Sequence, residues 1–227
     1  RTISRLLFII IFLVWSIIGC SINPFSANQY SQSIAKVEIN FKVSLPTNSE
    51  VSTGLFLEVL DELTGLGLNP SRYPMETIDG LTYSLRMSFP RGFLIKYRYV
   101  KEGNPSSIEF DAQKNQVRYR LVYINSPLTI NDQISGWKNN AFDGNTGILQ
   151  GYVFNSETSE PISNVMIVIA GMRAFTGTDG SYVIPNVPVG EQFITAVHVD
   201  GLFQPFQQKA VIATNATTQA NFGMSPS

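Results

Sequence analysis

One cysteine and one histidine in 227 residues remove most thiol and metal chemistry from this chain at the outset. Cys20 alone can form no intramolecular disulfide, and His198 lacks the partners of a His-based zinc site. No G-x-S-x-G nucleophile elbow accompanies that histidine, and no glycine-rich phosphate loop occurs. Charge is also scarce: Lys+Arg number 16 and Asp+Glu 17, 15% of the chain, for a net charge of −1. Phosphate binding needs a basic surface, so nucleic acid is excluded as an expected partner. Helical periodicity is absent after residue 20.

Carboxylates are present without an arrangement that predicts catalysis. Glu58, Asp61, Glu62, Glu76 and Asp79 fall in or beside predicted turns and strand ends. They read as solvated charge rather than as the facing pair that glycoside hydrolysis requires. Asp132, Asp143 and Asn145 match no EF-hand spacing. His198 follows Val197 in an alternating strand and is expected to face solvent or an interface. No catalytic residue, metal site or cofactor is therefore expected, and the chain is read as a non-enzyme.

What is abundant is strand-forming material. Hydrophobic residues make up 44%, with 15 Phe and 9 Tyr among them. Val37, Ile39, Phe41 and Val43 alternate with Lys36, Glu38, Asn40 and Lys42, the period of a half-buried strand. Leu55–Leu60 reads as a second strand and Gly65–Pro74 as a loop. Leu81, Tyr83, Leu85, Met87 and Phe89 alternate again, and so do Phe93, Ile95, Tyr97 and Tyr99 after the Pro90-Arg91-Gly92 turn. Val117, Tyr119, Leu121 and Tyr123 close this set. The predicted class is all-β: two tandem immunoglobulin- or transthyretin-like β-sandwiches after an N-terminal signal helix. Boundaries are placed at 1–20 for a signal peptide, 21–35 for a polar tether, 36–130 for the first sandwich, 131–147 for a linker and 148–224 for the second sandwich. Trp137, in the linker, is expected to cap the first sandwich. Met224–Ser227 reads like the start of a further linker.

Arg1 and Arg5 precede a run, Leu6–Ile18, that is apolar but for Ser16 and ends in Gly19-Cys20. The run is short for a membrane span, which needs about 20 apolar residues, and has the form of a secretory signal. Ile17, Gly19 and Cys20 resemble the lipobox of bacterial lipoproteins. The resemblance implies lipidation of Cys20, a membrane partner reached through that lipid, and a place in the cell envelope outside the cytoplasm. An uncleaved signal anchor is the alternative.

The order Val37–Val43, Leu66-Gly67, Pro74-Met75, Pro90-Arg91-Gly92 and Tyr97-Arg98-Tyr99 resembles the starch-binding family of β-sandwiches. That family stacks two Trp rings on sugar faces with a Lys between them. Here Leu68 takes the first Trp position, only Phe110 is aromatic in the second region, and Arg98 takes the Lys position. The resemblance implies an α-glucan-like polysaccharide as ligand, with Arg98 as donor and Tyr73 and Phe110 as substitute platforms. The other reading has Tyr73 packing locally and Phe110 in the core. In the second domain, Gly151-Tyr152-Val153, Pro161–Val165, Thr178-Asp179-Gly180-Ser181-Tyr182 and Val187-Pro188-Val189-Gly190 resemble the carboxypeptidase regulatory-like family. That family implies a small transthyretin-like sandwich without catalytic residues. Gly151 is assigned to close backbone approach, and Asp179-Gly180 to a turn between two strands. Two functions stay open: a carbohydrate-binding envelope lipoprotein, and a structural stalk that presents a partner.

Overall fold

A computed structural model describes residues 35–47, 49, 54–60, 70–103, 105–138 and 142–227. The signal helix, Cys20 and the tether lie outside the described residues. Every regular element described is a strand, which establishes the all-β class. No described helix is long and apolar enough to cross a membrane.

The first sandwich contains β1 (Lys36–Ser44), β2 (Leu55–Val59), β3 (Ser71–Pro74), β4 (Glu76–Thr77), β5 (Thr82–Pro90), β6 (Leu94–Lys101), β7 (Ser107–Ile108), β8 (Arg120–Tyr123) and β9 (Leu128–Gln133). One sheet has the order β4-β5-β1-β9; the other is β3-β2-β6-β7, with β8 also on β6. β1 alternates as its sequence predicts: Val37, Ile39, Phe41 and Val43 are all at most 3% exposed. Phe41 packs edge-on to Tyr97 and Phe89, at 5.0 and 6.2 Å between centroids. Burying a ring of that size contributes about 2–3 kcal/mol.

Two expectations change here. Ser71–Pro74, read as loop, pairs with β2 as a strand, Leu57 opposite Tyr73 and Glu58 opposite Arg72. Asn131–Gln133, read as linker, extends β9, which runs parallel to β1. Ile134 and Trp137 then enter the first core, so Trp137 caps that sandwich as expected. The alternating Asn131-Asp132-Gln133-Ile134 hides its strand behind polar residues, because Asp132 satisfies its charge internally.

The second sandwich contains β10 (Thr146–Asn155), β11 (Val165–Ile169), β12 (Met172–Phe175), β13 (Ser181–Pro188), β14 (Gly190–His198), β15 (Phe206–Ile212), β16 (Thr217–Gln219) and β17 (Phe222–Met224). β12-β11-β14-β15 form one sheet; β13-β10-β16, with β17 also on β10, form the other. The turn at Asp179-Gly180 is present, and the Asp179 carboxylate accepts from the Ser181 amide at 3.0 Å. It does not make a hairpin: β12 before it pairs with β11, while β13 after it pairs with β10 in the opposite sheet. The tight hairpin is β11–β12, joined by Ala170 and Gly171 at φ +49° and +81°. A two-residue hairpin turn of type I′ needs positive φ at both positions. Gly151 has the assigned role. A Cβ there would lie 2.0 Å from the Ala220 carbonyl oxygen, where β10 passes from β16 to β17 and Tyr182 donates its hydroxyl to Ala220 O at 2.7 Å.

Residues 34–227 form one compact unit, so the two sandwiches share a built contact. β8 lies against β11, β14 and β15. The Thr195 hydroxyl donates to Leu121 O at 3.0 Å, and the Tyr123 amide donates to Gln207 Oε1 at 3.0 Å. Gly171 presses on Val117: an added Cβ would stand 2.7 Å from its Cγ2.

Candidate functional site

Strand register fixes where the sugar-site residues point. Tyr73 is opposite Leu57, and Leu57 is opposite Tyr99. Cross-strand partners share a face, so Tyr73 lies on the core side of its sheet, at the edge. Arg98 is opposite Glu58, which is opposite Arg72, on the other face. Both guanidinium groups donate through Nε to the Glu58 carboxylate, which is fully buried. Arg98 is 14% exposed and already paired. Phe110 is half-buried and bridges to Gln116 and Gly136, its amide donating to Gly136 O at 2.9 Å. Tyr73 and Arg98 thus belong to opposite faces of one sheet and do not flank a common platform. Glu58, read as solvated charge, is corrected to a buried strand residue neutralised by two arginines.

The most heavily built polar cluster was not foreseen. Arg120 stands opposite Tyr97 in register and points into the first core. Its Nη2 donates to Glu109 Oε2 at 2.8 Å and to Gln133 O at 2.9 Å, and its Nη1 donates to Asp132 Oδ1 at 2.9 Å. The hydroxyls of Tyr97 and Tyr99 both donate to Asp132 Oδ2, at 2.9 and 2.8 Å. Glu109 also accepts from the Tyr99 amide at 3.0 Å. Burial raises the pKa of Glu109 by more than Arg120 lowers it back. Burial works against the charge on Arg120, but Asp132 and Glu109 outweigh it and hold the guanidinium charged. Burial, reinforced by the Asp132 charge, pushes both tyrosines well above their ordinary range. Each of these side chains is hydrogen-bonded within the cluster, and all but the partly exposed Asp132 are buried, a polar network of the kind that fixes the geometry of a core. The only sequence signal was Arg120 in the alternate register of an apolar strand.

His198 is buried, contrary to the expectation of a solvent or interface position. Gln192, Ile194, Ala196 and His198 are all buried along β14. The imidazole packs on Phe203 at 5.3 Å, and its Nδ1 accepts from the Asp200 amide at 3.2 Å. Among the described residues no three His, Cys, Asp or Glu side chains could hold a metal ion.

A cleft of about 340 Å³ opens where the sandwiches meet. Asp111, Gln116, Arg118 and Tyr119 line it from the first sandwich, Arg173 and Val183 from the second. The Tyr119 ring has Lys96 Nζ, the Arg118 guanidinium and the Arg173 guanidinium at 5.7, 5.9 and 5.9 Å from its centroid.

No family model matches the sequence, and no curated protein matches it. Among solved structures, the chain is similar to the Bacillus anthracis TIE protein at 11% identity and a TM-score of 0.32, over 85% of this chain and 34% of that one. A minor pilin of the gram-positive pathogen Streptococcus agalactiae aligns at 10% identity and a TM-score of 0.32, over 84% and 96% respectively. The glycoside hydrolase family 15 glucoamylase of Hypocrea jecorina aligns at 14% identity and a TM-score of 0.32, over 45% of this chain and 17% of that one. The chain thus spans about a third of the TIE protein and about a sixth of the glucoamylase.

Proposed function

We propose that this chain is a non-catalytic, rigid spacer of the cell envelope, tethered to a membrane through lipid on Cys20. The contact between the sandwiches carries this reading. A spacer transmits position only if its modules do not swivel, and here both Thr195–Leu121 and Tyr123–Gln207 cross the junction. Gly171 also lies against Val117 across the junction. The separation of Tyr73 from Arg98, and the pairing of Arg98 with Glu58, favour the spacer over a glucan-binding module.

Spin labels placed at Glu38→Cys and Val199→Cys, in a Cys20→Ser background, test the rigidity. A single narrow distance distribution is expected; a broad one overturns the spacer. Metabolic labelling with an alkyne fatty acid tests the anchor, with incorporation expected in the natural chain and lost in Cys20→Ser. Retention on an α-glucan column that disappears in Arg98→Ala would favour the carbohydrate module instead.

A further inference from the structure

The cleft between the sandwiches is bridged by contacts between its walls and lined by two guanidinium groups that have no ion-pair partner among the described residues. Gln113 Nε2 donates across it to Pro185 O at 2.9 Å, and Gly171, in its lining, lies against Val117 of the first sandwich just behind it. Its shape is therefore set before anything enters. Among the described residues neither Arg118 nor Arg173 makes an ion pair; each lies against the Tyr119 ring. The carboxylate in the lining, Asp111, is buried and committed to its own loop, accepting from the Gln113 and Asn115 amides at 2.9 Å each. The positive charge of two guanidinium groups is thus left facing a concave space. Guanidinium groups recognise carboxylate, sulfate or phosphate oxygens by paired charge-assisted hydrogen bonds.

The remaining lining narrows the ligand. Asn115 and Gln116 offer exposed amide groups suited to hydroxyls, and Val183 and Pro185 offer an exposed apolar lip. A volume of about 340 Å³ is that of a small-molecule site. We propose that this cleft binds an acidic saccharide, with its anionic group held by Arg118 and Arg173. Such a site adds recognition to the spacer without depending on it, since a rigid module can present a ligand site or lack one.

The test is nitrogen-15 chemical-shift mapping and titration calorimetry on the full chain in neutral detergent. The probes are trigalacturonic acid, a neutral galactose trisaccharide, inorganic sulfate and tetraglutamate. Trigalacturonic acid is expected to bind, to weaken with added salt, and to shift the amides of Tyr119, Gly171 and Arg173. Arg118→Gln and Arg173→Gln should each lower affinity about tenfold, the loss of one charge-assisted contact. Lys209→Gln, whose side chain pairs with Glu191 outside the cleft, should leave affinity unchanged. The shift map on the unaltered chain stands even if a variant fails to fold. Equal binding of the neutral trisaccharide, equal binding of tetraglutamate or of sulfate alone, shifts confined to other surfaces, or no binding of trigalacturonic acid would each overturn the proposal.

Discussion

Replacing Arg120 by methionine isolates what the buried cluster contributes. The substitution roughly keeps the apolar stem and removes the guanidinium, which donates to Glu109, Asp132 and Gln133 O. Glu109 is fully buried and would keep only the Tyr99 amide as donor. Removing one partner of a buried ion pair costs about 3–5 kcal/mol, because the surviving charge has no water to turn to. A pH dependence follows with a definite sign. Burial already raises the folded pKa of Glu109, and loss of Arg120 removes the influence that lowers it. A carboxyl whose folded pKa lies above its unfolded value binds protons more readily in the folded state. The variant's deficit is then fully present above that folded pKa and shrinks as pH falls through it toward the ordinary carboxylate range. Urea unfolding followed by Trp137 fluorescence, in a Trp15→Phe background, reads the first core directly. A deficit of about 3–5 kcal/mol at pH 7 and a smaller one at pH 5 is expected. The pair Glu109→Leu with Arg120→Met should recover at least half of the loss, since Asp132 keeps both tyrosine hydroxyls. A deficit below about 1 kcal/mol at pH 7, or one that widens on acidification, would refute the reasoning.

Tyr97, Tyr99 and Tyr182 all have raised pKa values, from burial first and, for the first two, the Asp132 charge next. Their neutral forms favour the folded state, so stability holds below about pH 10 and declines above it. Absorbance at 295 nm should show three of the nine tyrosines silent until the chain unfolds; their early ionisation in folded protein would contradict this. Gly151→Ala drives a methyl into the Ala220 carbonyl and should cost more than about 3 kcal/mol, seen as a lower urea midpoint. Gly171→Ala combines a left-handed backbone at φ +81° with a 2.7 Å approach to buried Val117, and should cost about 1–3 kcal/mol. The same variant should broaden the inter-sandwich distance distribution; an unchanged distribution would mean the contact does not set the junction.

The fold class was legible because strand periodicity is a local property. β1 shows its buried face in four alternate apolar residues, and no tertiary information is needed to read it. Which face meets which partner is a different matter. Val117, Tyr119, Leu121 and Tyr123 alternate and read as the set that closes the first sandwich around its core. They instead face the second sandwich: Val117 meets Gly171, Tyr119 donates its hydroxyl to Met166 Sδ at 3.5 Å, and Tyr123 meets Gln207. Val122 and Ile124 fill the first core in their place. The same inversion holds in β14, where Ile194 and Ala196 enter the second core while Phe193 packs against the first. Period two reveals that a strand has two faces. It is silent about direction when both faces end up covered.

That silence also explains why the site residues were the least legible part. A charged residue on an apolar strand reads as solvated unless its partners are known, and the partners of Arg120 come from positions 109, 132 and 133. The partners of Glu58 come from positions 72 and 98. Only register brings them together, and register depends on turns such as Ala170-Gly171, whose alanine takes a left-handed backbone at a cost of about 1 kcal/mol and so gives no composition signal. The junction has the same origin. Its hydrogen bonds join residues more than 70 positions apart, Leu121 to Thr195 and Tyr123 to Gln207. The polar stretch from 131 to 147 reads as a linker, yet it begins as a strand and ends as one, which shortens the connection between the sandwiches. A shortened connection and a covered β8 support the proposed spacer, which rests on long-range pairing rather than on either sandwich alone.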